Sequence, residues 1–200
     1  MLNYKPRIYF YFSTILTFIF FLPFFLKGNI GSAIIKTSAV SEQFHIIEEK
    51  AIVFDSQNDL LAAFEKDQLN KNFIAVLPFQ GPKQKGMPEL HKLIPTLTIL
   101  QKKGFNVALI TDGRMSGASG KIPAAIHVSP EAADNGLISK IKTGDLLLID
   151  AINGKVECLE SEIKNRESRL ITNNNNTHGR SLFDKLRSMT TSSDNGASFI

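Results

Sequence analysis

Ile8 to Leu26 reads IYFYFSTILTFIFFLPFFL, 19 residues without a charge, between Lys5 and Arg7 on one side and Lys27 on the other. As a helix it would be about 28 Å long, close to the thickness of a bilayer core. Three readings stand side by side. The run is a membrane anchor, the hydrophobic part of a signal peptide, or the remnant of a truncated gene. A signal peptide fits poorly because the run is long and no small-residue cleavage site follows. Seven phenylalanines and Pro23 make it a badly tuned helix. The expectation is one hydrophobic segment over residues 1–27 and a folded domain over 28–200.

Beyond Lys27 the chain changes character. Residues 28–200 suit one domain with a buried core. The 23 basic and 19 acidic residues of the whole chain leave a net charge of +4. They are scattered, which argues against nucleic acid as a partner. Cys158 is the single cysteine, so no internal disulfide, CxxC zinc site or four-cysteine cluster can be built from this chain. Its expected place is an apolar strand end.

Short Ile- and Val-rich runs predict strands at 33–36, 51–54, 72–79, 106–110, 126–128 and 145–149. The runs 72–79 and 106–110 are continuously apolar, as strands buried on both faces are. Asp55 or Ser56 is placed to cap a helix over 57–66. A second helix is expected from Glu89 to about Lys103, its first turn separate or kinked because Pro95 falls inside the span, and a third over 181–189. Asn153-Gly154 predicts a tight type I′ hairpin. The sum is an α/β domain, a compact and partly closed sheet with helices outside.

Two polar loops follow apolar strands. Gly81-Pro82-Lys83-Gln84-Lys85-Gly86-Met87-Pro88-Glu89-Leu90-His91-Lys92 is one, and Thr111-Asp112-Gly113-Arg114-Met115-Ser116-Gly117-Ala118-Ser119-Gly120-Lys121 is the other. Loops at the carboxyl ends of strands are where α/β sheets carry their sites. Glu89 is either a helix-start residue stabilised by the helix dipole or an oxygen ligand for a hard cation. Ser116, among glycines, is either part of a tight turn or a group that meets a ligand. Arg114 either pairs with Asp112 or a neighbour, or binds a carboxylate or phosphate. His127 reads as a hydrogen-bonded core histidine.

Gly86-Met87-Pro88-Glu89 and Thr111-Asp112-Gly113-Arg114-Met115-Ser116-Gly117 together resemble the dihydroxyacid dehydratase and phosphogluconate dehydratase family. Pro88-Glu89-Leu90-His91-Lys92-Leu93, Ser116-Gly117-Ala118-Ser119-Gly120-Lys121, Gly28-Asn29-Ile30-Gly31 and Phe79-Gln80-Gly81-Pro82 point to its phosphogluconate branch. The resemblance implies a β-barrel-like swivelling domain with flanking helices. It implies a lyase that removes water from a 2,3-dihydroxy acid, using an iron–sulfur cluster and Mg²⁺. On that resemblance Ser116 is the catalytic base and Glu89 a metal ligand. Arg114, Ser119 and Lys92 are expected on the substrate, a sugar-acid phosphate. A cytoplasmic, homo-oligomeric enzyme is implied, unless residues 8–26 anchor it to a membrane.

The resemblance covers only the carboxy-terminal part of such an enzyme. The cluster cysteines of the family lie elsewhere, so the chain is expected to be inactive alone. A separately encoded amino-terminal half is one way to complete it. A membrane-tethered, non-catalytic domain that binds a partner or a sugar acid is the alternative.

Overall fold

The computed structural model describes residues 24–115, 121–169 and 178–199. Eight strands close into a barrel in the order β1 (Phe24–Gly28), β2 (Gly31–Ile35), β6 (Ala124–Ser129), β5 (Val107–Thr111), β4 (Phe73–Leu77), β3 (Ile46–Val53), β7 (Leu146–Asp150) and β8 (Lys155–Cys158). Strands β3, β4, β5 and β6 run parallel to their neighbours. The remaining pairs are antiparallel except for β1 against β8, where Lys27 faces Lys155 in parallel and the barrel closes. The expected partly closed sheet is therefore a fully closed one, and no unpaired sheet edge remains in it.

Strand β1 corrects the reading of the amino-terminal run. Phe24, Phe25 and Leu26 pair with Ile35, Ile34 and Ala33, so a helix cannot extend to residue 26. Leu26 points inward with no exposure, while Phe25 remains 73% exposed. The rest of the run, residues 8–23, lies outside the described residues. Among the described residues no helix is long and apolar enough to cross a membrane.

The apolar runs that predicted buried strands are buried along their whole length in β4 and β5. Each feeds two cores. Inside the barrel, Val76 and Ile110 meet Leu26, Ile47, Leu147 and Val156. Outside, Leu77 and Leu109 meet Leu60, Leu93, Leu97 and Leu100 from the flanking helices. Each fully buried leucine contributes on the order of 2 kcal/mol of transfer free energy.

The first helix, α1 (Gln57–Glu65), begins at the predicted cap. Ser56 Oγ accepts from the Asp59 N–H at 3.3 Å and donates to the Asp59 carboxylate at 2.8 Å. A four-residue helix, α2 (Pro82–Lys85), lies inside the stretch expected to be loop. The next helix, α3 (Leu93–Lys102), starts four residues later than expected. The residues before Leu93 are separate from the helix, one of the two expected outcomes, and Pro95 falls in the first turn, where no intrahelical donor is missed. Helix α4 (His178–Ser188) closes the set.

Two further expectations change. The β7–β8 connection is a four-residue turn, Ala151 to Gly154, and only Gly154 in it has positive φ (66°). A type I′ turn needs two such residues. Here Asp150 holds the turn instead, its carboxylate accepting from the Ile152 and Asn153 N–H groups. Cys158 is buried at the end of β8, as expected. Its backbone N–H and carbonyl are clasped by the side-chain amide of Asn29, at 2.8 and 2.7 Å.

Candidate functional site

Strands β4, β5 and β6 point the same way, so the loops after Leu77, Thr111 and Ser129 gather at one end of the barrel. Asp112, fully buried, ties the three together. One carboxylate oxygen accepts from the Gln80 N–H at 2.8 Å. The other accepts from Phe79 N–H at 3.0 Å and Ala132 N–H at 2.9 Å. Burial pushes the Asp112 carboxyl above the usual range, and the three N–H groups oppose that rise. The Asp112 pairing, one of the alternatives for Arg114, is not made, because both Asp112 oxygens already face backbone donors.

Arg114 turns to the other loop. Its Nε donates to the Met87 carbonyl at 2.8 Å, and its own carbonyl accepts from Leu90 N–H at 3.3 Å. Glu89 and Arg114 thereby form a short parallel bridge. Glu89 is thus not the first residue of a helix, and no helix dipole acts on it from its own chain position. It is half-buried, and Arg114 is exposed. Lys92 is exposed at the residue that precedes α3. The structure therefore brings Glu89 and Arg114 together and sets Lys92 one turn further on. Ser116 and Ser119 lie outside the described residues.

Gly113 has a packing reason to be glycine. A Cβ there would stand 2.7 Å from the Gln80 Cβ and 3.1 Å from Leu90 Cδ1. The two loops approach too closely for a side chain. Three non-glycine residues around this end hold positive φ: Phe79 at 64°, Met87 at 53° and His127 at 55°. Such backbone is kept only where the surroundings over-determine it, and it concentrates at functional sites.

His127 departs from its expected core position. Its ring is half-buried and borders a cavity of about 250 Å³ with Phe25, Ser32, Ile34 and Asp194. Burial, and then the Arg114 charge, hold its pKa below the usual imidazole value. A larger apolar cleft of about 460 Å³ lies beside Met87, lined by Pro82, Phe183, Leu186 and Phe199 among others.

Glu131 escaped the sequence reading. It is 1% exposed, directly beneath the Gly81–Glu89 loop. One oxygen accepts from the Lys83 N–H at 3.1 Å. Burial, resisted by that N–H and reinforced by Asp112 and Asp134, pushes its carboxyl up to about 7. Nothing in the local sequence signals its burial.

Among the described residues no three His, Cys, Asp or Glu side chains gather to hold a metal. Glu89 fits one oxygen-ligand position for a hard cation and no more. Cys158 does not fit a cluster ligand, because it is buried and burial pushes its thiol pKa up.

The sequence is similar to known proteins. The family model described as Dihydroxy-acid/6-phosphogluconate dehydratase C-terminal matches residues 24–197. A phosphogluconate dehydratase of Rhizobium meliloti is 52% identical over 88% of this chain and 30% of its own length. One from Helicobacter pylori is 49% identical over 87% of this chain and 30% of its own length. A dihydroxy-acid dehydratase of Methanosphaera stadtmanae is 35% identical over 86% of this chain and 31% of its own length. The chain thus spans about 30% of the length of these relatives.

Proposed function

The chain belongs to the dihydroxy-acid/6-phosphogluconate dehydratase family, and from that premise we propose that its barrel is the carboxy-terminal part of a hydro-lyase for a phosphorylated sugar acid. The proposed substrate is 6-phosphogluconate, and the products are 2-keto-3-deoxy-6-phosphogluconate and water. The bridge between Glu89 and Arg114 carries this reading. It joins the loop with the candidate metal ligand to the loop that runs, two residues later, into Ser116.

The reaction removes the C2 proton and breaks the C3–O bond. The hydroxyl leaves as water, and the enol that remains becomes the 2-keto acid. In the family, bound Mg²⁺ and an iron–sulfur cluster supply Lewis acidity at the acid end and at the departing hydroxyl. This chain supplies the other parts. Glu89 offers a carboxylate oxygen to the cation. Arg114 presents an exposed guanidinium to an anionic group of the substrate. Ser116 takes the C2 proton, and Ser119 and Lys92 contact the sugar acid. A serine hydroxyl is a weak base by itself and needs an activating neighbour. The described residues supply one metal-ligand carboxylate and no cluster thiolate, so the barrel alone does not turn over. The remaining segments found in the full-length relatives complete the site.

The test is an assay of 2-keto-3-deoxy-6-phosphogluconate formation under anaerobic conditions with Mg²⁺. The chain is assayed alone and after co-expression with the complementary amino-terminal part of the Rhizobium meliloti relative. We expect no product from the chain alone and turnover from the pair. Glu89→Ala and Ser116→Ala should each lower that turnover by at least about 100-fold. Turnover by the chain alone would overturn the dependence on a complement. An inactive pair that nevertheless associates would overturn the assigned reaction.

A further inference from the structure

Glu131 has no part in the chemistry above, yet it occupies a costly position. Its Oε2 is buried and has no hydrogen-bond partner among the described residues. Its Oε1 has one donor, the Lys83 N–H in the first turn of α2. Gly81 packs directly on the carboxyl group. The charged groups that face it are Asp112 from the end of β5, Asp134 from its own turn, and Lys83 from α2. The Lys83 ammonium is already engaged, with both Asp134 oxygens at 2.7 Å. An ionised Glu131 would therefore sit out of water with one hydrogen bond and two acids for neighbours. Buried carboxylates so placed prefer to be neutral or to reach solvent.

What covers Glu131 is the Gly81–Glu89 segment, a small unit with its own ties. Lys83 clamps it to the 131–134 turn, and Lys85 reaches across to the Asp55 carbonyl. Gly86 N–H closes α2 on the Gly81 and Pro82 carbonyls, and Met87 follows with positive φ. Lifting this segment would give Glu131 water without breaking a strand.

We propose that Glu131 is a proton-operated latch that positions the Gly81–Glu89 segment: protonated, it stays under α2, and ionised, it favours opening of the segment. Glu89 sits at the end of that segment, so opening also loosens the candidate metal ligand. This consequence rests on the function proposed above, whereas the latch itself does not.

The test is native-state hydrogen exchange of the Lys83 and Gly86 amides in the full chain between pH 5 and 8, corrected for intrinsic rates. The carboxyl of Glu131, near 7 when covered and in the ordinary range when open, sets the pH window. Protection should fall by up to about tenfold per pH unit between pH 5 and 7 and level off above. Glu131→Gln should keep the segment protected and remove the pH response. The amides of β4 should remain better protected than those of the segment. Protection of Lys83 and Gly86 that does not change with pH would overturn the latch. So would an unchanged response in Glu131→Gln, or protection equal to that of β4, since the segment would then open only with the whole fold. No substrate or partner enters this measurement, so a failed dehydratase assay leaves its result intact.

Discussion

The Cβ that Gly81 lacks would stand 2.2 Å from Oε2 of Glu131, well inside van der Waals contact. Gly81 has an ordinary φ of −70°, so backbone freedom does not explain the glycine. Space does: the loop comes down on a buried carboxyl group that an added Cβ would have to displace. Gly81→Ala should therefore destabilise the fold by about 1–3 kcal/mol, as overpacking a closed site does. Urea unfolding at pH 7 checks it. The double variant Gly81→Ala, Glu131→Ala should recover part of the loss, because the clash is with that side chain.

The Asp112 tie gives a second expectation. Three N–H groups from two other loops converge on its two oxygens. Asparagine keeps one oxygen and puts an NH₂ group where the other stood, so at least one buried donor loses its acceptor. Asp112→Asn should cost about 2–4 kcal/mol by urea unfolding, more than its removal of a buried charge returns. A loss below about 1 kcal/mol would mean that the three bonds contribute little.

Much of this frame is legible in the sequence. The runs over Phe73–Leu77 and Val107–Thr111 are apolar at every position or nearly so, and such strands must be covered on both faces. Ser56 announces its helix through its own hydroxyl. The closure of the barrel is not legible, because it depends on Lys27 meeting Lys155 across the whole chain. Phe24–Leu26 hid in an apolar run with no period of two, which a helix explains equally well. Glu89 looked like a helix start because Leu90, Leu93 and Leu97 keep helical spacing, yet it is bridged to Arg114. Glu131 was invisible for a different reason: nothing local distinguishes a buried acid from an exposed one.

His127 and Arg114 are coupled in a way that titration can read. The ring is held below the usual imidazole pKa by burial first and by the Arg114 charge second. An NMR titration should place its midpoint below 6.5. Arg114→Ala should move it up part of the way, leaving the burial contribution in place. A midpoint unchanged by Arg114→Ala would separate the two residues and weaken the picture of loops gathered at this end of the barrel.

The pH dependence of stability follows from Glu131 with its sign fixed. Its carboxyl is raised from 4.5 to about 7 in the folded chain. The folded state thus binds this proton more tightly than the unfolded state does. The resulting stabilisation is fully present below pH 4.5, is lost as pH rises toward 7, and does not change further above that. The two values imply on the order of 3 kcal/mol over the window. Other carboxylates act in the opposite direction: Asp150, hydrogen-bonded by the Asn153 side chain and the turn N–H groups, is held below its ordinary value and adds stability as pH rises through the acid range. The two effects separate cleanly in Glu131→Gln. Urea unfolding at pH 5 and pH 8 should show wild type and Glu131→Gln within about 1 kcal/mol of each other at pH 5. At pH 8 the variant should be the more stable chain, because it never has to hold a buried charge. A variant less stable than wild type at both pH values would mean instead that the ionised carboxylate is accommodated where it stands and strengthens its bond to Lys83.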